Sequence, residues 1–213
     1  MSLVSPVFEQ HYEDYLRQMA DLDLMSLGPA IGGQADREPD GPVVGIPYFG
    51  GTYRVSASGI TGPDGRRPGY DTCIILSRHL IMAPDAPGQG DSAPAGEWKG
   101  FRDLKEAGPL TVYFKDNVEG AIANVLSGRL PDAVNITETL GARTPDMDIR
   151  YDLALEIPAL PKVPMLLLFN DAEEEFPASC SVLFRPGVDA WLDAECIAMI
   201  GYRLAVLVRR AMS

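Results

Sequence analysis

Cysteine is scarce in this 213-residue chain: Cys73, Cys180 and Cys196 are the whole complement. Three thiols so far apart exclude a disulfide framework and any Cys-x-x-Cys metal or redox motif, and they fit a reducing cytoplasm. Histidine is scarcer, with only His11 and His79. The chain also lacks a Gly-x-Ser-x-Gly elbow, a P-loop lysine, a His-Glu-x-x-His pair and a Rossmann glycine pattern, so no standard catalytic signature is present. Long apolar runs are missing too. The longest, 163–169 and 197–208, the second broken by Gly201 and Arg203, fall short of the roughly 20 residues that span a membrane. The opening MSLVSPVFEQHYEDY has neither the basic region nor the cleavage site of a secretory signal. Basic charge is in deficit, 18 Lys and Arg against 30 Asp and Glu, a net charge of −12. That balance argues against nucleic acid or an anionic lipid surface as a partner. These absences predict a soluble, cytoplasmic protein with reduced thiols, no bound metal and no cofactor of its own.

Hydrophobic residues make up 46% of the chain and charged residues 23%, ordinary values for a globular fold with a sizeable core. Twenty-one glycines and 18 prolines predict many turns and short elements. Ser5-Pro6 opens a first helix whose apolar face is Phe8, Tyr12, Tyr15, Met19 and Leu22. Residues 28–42, rich in Gly, Pro and acid, read as a loop. Strands at 43–49 and 52–57 flank Gly50-Gly51 as a hairpin, and a turn follows at 62–65. Residues 70–83 have the all-round apolar character of a buried helix. A third helix covers 111–127, with Phe114, Val118, Ile122 and Val125 inward and Gly128 at its end. A fourth covers 131–140, closed by Gly141. Apolar segments at 152–157, 164–169 and 179–184 predict an antiparallel meander. Asp193 caps a last helix with the stripe Ile197, Ile200, Leu204 and Leu207, and Arg203, Arg209 and Arg210 in its later turns complement the dipole. Hairpins and helices are segregated, so the class is α+β: a hairpin and a C-terminal meander packed on about five helices, one domain over 1–213 with a single core.

Between the second and third helices, residues 84–96 have no apolar periodicity, which predicts a mobile loop able to gate a pocket. Directly after it come Trp98, Phe101 and Arg102, two flat apolar faces and a planar cation of the kind that grips anionic or planar ligands. Core packing is the plainer role for the two aromatics. His79 reads first as a hydrogen-bonded core histidine and second as a ligand or base. The acidic run 171–175 reads as a solvated turn, with cation binding as the alternative. Glu175 and Glu195 are the carboxylates an acid–base enzyme would use, provided one were desolvated. Cys196, near a helix N-terminus, is a candidate for a lowered thiol pKa.

The segment 163–204 carries an apolar strand, the turn Asp171…Glu175-Phe176-Pro177, the strand Ser181-Val182-Leu183-Phe184 and the helix start Trp191-Leu192-Asp193-Ala194-Glu195. Together with Gly96-Glu97-Trp98-Lys99-Gly100-Phe101-Arg102-Asp103-Leu104, this text resembles a domain-of-unknown-function family of anaerobic bacteria and archaea. Some members of that family carry an added iron–sulphur segment, for which this chain has no cysteine cluster. The resemblance implies an accessory setting in anaerobic metabolism. The expected function is a non-catalytic binding or accessory protein that recognises a small anionic ligand or a metalloenzyme partner. Trp98, Phe101, Arg102, Glu175 and Glu195 are its candidate ligand-binding residues. A hydrolase or transferase using carboxylate acid–base residues is one alternative, and a structural homo-oligomer is another.

Overall fold

Two four-stranded antiparallel sheets carry the architecture, as a computed structural model that describes residues 6–85, 97–147 and 150–213 shows. The expected cap Ser5 and residues 86–96 of the expected gating loop lie outside the described residues. The class is mixed α and β with antiparallel pairing throughout, in line with the α+β expectation. The first sheet, in the order β1-β2-β3-β4, contains β1 (Gln34–Glu38), β2 (Gly41–Tyr48), β3 (Gly51–Ser56) and β4 (Gly59–Thr61). Two helices precede it, α1 (Pro6–Ala20) and α2 (Leu24–Ala30), and α3 (Tyr70–Met82) follows. The second sheet, β5-β8-β7-β6, joins β5 (Lys99–Gly100) to the meander β6 (Leu153–Leu160), β7 (Val163–Asn170) and β8 (Ser179–Phe184). Between β5 and β6 run α4 (Thr111–Phe114), a π-helical segment (Lys115–Glu119), α5 (Gly120–Leu126) and α6 (Val134–Leu140); α7 (Ala194–Ala211) ends the chain.

Residues 28–42 are not a loop: they contain the end of α2 and all of β1. Asp23 caps α2 by accepting from the Ser26 N–H, and Pro29, inside the helix near its end, withholds the N–H that would bond to the Met25 carbonyl, which keeps α2 short. β1 is an edge strand held by its backbone pairing with β2, so its polar text, QADRE, needs no apolar alternation. The β2–β3 turn is centred one residue earlier than the Gly50-Gly51 reading. Phe49 and Gly50 take its two positive-φ positions, at 44° and 78°. A non-glycine residue is unfavourable there. Phe49 offsets the cost by burying its ring against Tyr48 and donating its N–H to Ala159 O at 3.0 Å, a tie between the two sheets.

One continuous cluster of buried side chains runs from Val44, Ile46 and Val55 of the first sheet to Leu155, Leu167 and Phe184 of the second. α3 supplies Ile75, Leu76 and Leu80, and α7 supplies Ile197, Ile200 and Leu204. Tyr12 ties α1 to the first sheet by accepting the Ile60 N–H at 2.9 Å. Asp193 holds α7 twice: one carboxylate oxygen caps the Cys196 N–H at 2.9 Å, and the other takes Arg78 Nη2 and Nε at 2.7 and 2.9 Å. Burial pushes this carboxyl up, but the Cys196 N–H and Arg78 outweigh it, and the net shift is downward.

Gly201, in the middle of α7, sets the tightest contact. A Cβ there would lie 2.4 Å from Phe114 Cε2. The missing side chain lets the Phe114 ring rest on the helix, and that ring stacks on Phe101 at 4.2 Å with an interplanar angle of 2°. Gly201→Ala therefore overpacks this contact. It is expected to cost about 1–3 kcal/mol despite alanine's better helix propensity. Phe114→Leu should recover part of the loss in the double variant, so that denaturant unfolding gives non-additive values.

Candidate functional site

The Phe101–Phe114 stack floors a cleft of about 490 Å³ between the start of the α4–α5 helical rod, the turn at 101–103 and strand β8. Phe101 is buried beneath it, whereas Arg102 lines its mouth and is 79% exposed. Asp103 lies 3.6 Å from Arg102 Nε, an exposed pair that leaves the guanidinium available to solvent. Thr111 and Lys115 face the cleft from the rod, and Ser181 and Leu183 from β8.

Glu119 completes the lining, and the rod's geometry explains its position. The fully buried residues of the rod, Phe114, Val118, Ile122 and Leu126, recur at intervals of four. A 3.6-residue helix would let such a stripe drift around its axis, and the wide π turn at 115–119 takes up part of the drift. Glu119, the last residue of that turn, reaches β8 and accepts the Val182 N–H at 3.0 Å. β5 pairs only with Leu183 and Phe184 of β8, so the Glu119 carboxylate serves as the acceptor where no further strand residue lies alongside. Burial raises the carboxyl above the usual range, against the lowering effects of the Val182 N–H and Lys115. Two cationic side chains, Lys115 and Arg102, thus line one concavity with two carboxylates, the partly desolvated Glu119 and the exposed Asp103.

Of the residues read from sequence, Phe101 and Arg102 belong to this cleft. Trp98 does not line it; its ring lies 3.9 Å from the Arg185 guanidinium. Glu175 sits exposed on the β7–β8 turn and Glu195 exposed in the first turn of α7, so neither is desolvated as acid–base work would need. In the acidic run, Asp171 has a structural partner: it accepts the Gly128 N–H at 2.9 and 3.1 Å, just past α5. His79 is fully buried, with Nδ1 3.4 Å from Trp191 O, and burial lowers its pKa to about 4. It is a neutral core histidine at physiological pH. Cys196 departs from expectation, because burial pushes its thiol up rather than down. Arg203 lies mid-helix and half-buried, away from the C-terminal carbonyls; Arg129 of the preceding segment reaches Met212 O instead. Among the described residues, no group of three His, Cys, Asp or Glu side chains is placed to hold a metal ion. No described helix is long and apolar enough to cross a membrane.

Comparison with known proteins gives a family and no activity. The chain belongs to a family described as a domain of unknown function, DUF3786, whose model matches residues 23–206. No curated protein and no solved structure gives a significant match.

The Glu119–Val182 bond separates charge from hydrogen bonding. Glu119→Gln keeps an acceptor and removes a desolvated charge, so stability at neutral pH should hold or rise. Glu119→Ala orphans a partly buried N–H and should cost about 1–3 kcal/mol. Because its raised carboxyl binds a proton more tightly in the folded chain than in the unfolded one, wild type should gain stability relative to Glu119→Gln as pH falls into the carboxylate range. It should lose that gain as pH rises through the raised folded value. Urea unfolding of the three proteins between acid and neutral pH checks both signs.

Proposed function

We propose that this DUF3786 protein is a non-catalytic binding module whose cleft takes a small anionic ligand. One observation carries the reading: Arg102 and Lys115 line the same concavity as the half-buried Glu119. The two cations attract an anionic group, and the exposed guanidinium can meet a carboxylate or phosphate with two parallel N–H donors. Glu119 selects within that class. Its charge, with that of Asp103 at the mouth, repels a ligand that is anionic throughout, and it favours one carrying a hydrogen-bond donor at the other end. The apolar floor of stacked rings gives such a ligand a dry surface to lie on.

The binding reading is preferred to the carboxylate enzyme because Glu175 and Glu195 are solvated and neither lines the cleft. A cytoplasmic, accessory place in anaerobic metabolism, with a metalloenzyme as partner, is the setting the family resemblance implies. The three free thiols fit such a reducing setting.

Isothermal titration with a panel of small carboxylates and phosphates, with and without an amino group, tests the module. At least one amino-bearing anion should bind at one per chain. Arg102→Ala and Lys115→Ala should each weaken it about tenfold, equivalent to ~1.4 kcal/mol, and leave the melting temperature of the free protein unchanged. Unchanged affinity in both variants, or no binding by any member, would contradict the assignment.

A further inference from the structure

The last helix leaves one narrow stripe uncovered. Most of α7 is enclosed by the helices packed on it, but Glu195, Met199, Tyr202, Val206 and Arg209 reach the surface. Their alternating steps of four and three residues put all five along one line of the helix. The middle of that line is apolar: Tyr202 is 46% exposed, with Met199 and Val206 partly exposed on either side of it. Two residues of α4 widen the patch, Val112 at 71% and Tyr113 at 43% exposed. Burial, and after it the nearby Tyr202, raises the Tyr113 phenol above its ordinary range, in keeping with two tyrosines that stand close together. The solvated face of a helix ordinarily carries polar side chains, and a contiguous apolar patch with charged ends marks a contact surface.

The ends of the stripe say what the partner is. Glu195 sits in the first turn of α7 and Arg209 in the last; both are exposed, and neither forms an ion pair among the described residues. Tyr202 lies midway between them, about two turns or ~10 Å from each. A copy of α7 laid antiparallel across this one, with the two Tyr202 rings meeting at a two-fold axis, therefore sets Glu195 against Arg209 of the partner subunit at both ends. Met199 falls opposite Val206 of the partner subunit in the same alignment. Antiparallel crossing also opposes the helix dipoles favourably. A parallel crossing would bring like charges together at each end. Each copy carries a net charge of −12, so approach is repulsive at long range, and complementary ends select the one orientation that relieves it.

We propose that α7 is a homodimer interface: two copies associate antiparallel about an axis through Tyr202, with an apolar centre closed at each end by a Glu195–Arg209 pair between subunits. The contact is isologous, so it closes at two copies. This goes beyond the binding reading and does not rest on it, because the residues that line the Arg102 cleft are not part of the stripe.

Sedimentation over a range of protein concentrations tests the proposal. Wild type should reach twice the chain mass of 23.1 kDa and dissociate on dilution. Tyr202→Glu places two acidic groups at the axis and should leave the chain monomeric, with its circular dichroism unchanged. Glu195→Arg and Arg209→Glu, each alone, set like charges together at both ends and should weaken self-association by about tenfold. An equimolar mixture of those two variants should form a heterodimer, since each supplies the sign the other lacks, and its formation shows that both remain folded. The double variant Glu195→Arg, Arg209→Glu should dimerise again, and Arg102→Ala should dimerise as wild type does. Wild type that stays monomeric at the highest concentration would overturn the proposal and leave the stripe to a partner of another kind. So would undiminished dimerisation of Tyr202→Glu, or a mixture of the two charge variants that associates no better than either does alone.

Discussion

A single absent side chain organises much of this molecule. With no Cβ at Gly201, the Phe114 ring lies directly against α7, and the start of the α4–α5 rod is fixed there. Phe101 stacks on that ring and brings the turn at 101–103 with it. The wall and the floor of the cleft are therefore set from one helix–ring contact. The same helix, two residues on, carries the half-buried Arg203. A glycine in mid-helix sacrifices about 1 kcal/mol of propensity, and here the close packing of the Phe114 ring makes up for it.

α7 can serve as this reference because its own start is held tightly. Asp193 is at once the cap of α7 and the partner of Arg78 on α3, so the helix N-terminus is tied to the body of the fold by a charge-assisted link. At the far end, Arg129 reaches the Met212 carbonyl. The edge of the second sheet is managed by a side chain in a comparable way. Where β5 stops, Glu119 supplies the acceptor that Val182 needs, and in doing so places a desolvated carboxylate in the cleft. Structural need and chemical potential meet in that residue.

The sequence made some of this legible and hid the rest for definable reasons. The meander was readable because β7 is buried along nearly all its length and reads as a continuous apolar run. The cap at Asp193 was readable because the pattern is local. β1 was hidden because an edge strand is specified by its neighbour's backbone and not by its own side chains. The hairpin centre slipped by one residue because glycine propensity favours Gly50-Gly51, while the tertiary bond from Phe49 to Ala159 decides the register. At the cleft, Phe101 and Arg102 stood out as residue types. Glu119 and Lys115 did not, because an exposed helix face also carries such residues. The four-residue spacing of Phe114, Val118 and Ile122 was the available sign that the rod departs from regular α geometry. Arg203 read as a dipole partner because sequence places it on α7 without showing how far it is from the helix end.

The cleft walled by Arg102, Lys115 and Glu119 is proposed to hold a small anionic ligand. Native mass spectrometry of the protein purified from its own host under gentle desalting tests it most directly. A one-to-one small-molecule adduct is expected on wild type and absent from an Arg102→Ala, Lys115→Ala double variant purified in the same way. The bare chain mass in wild type, or an adduct of equal abundance on the double variant, would contradict it.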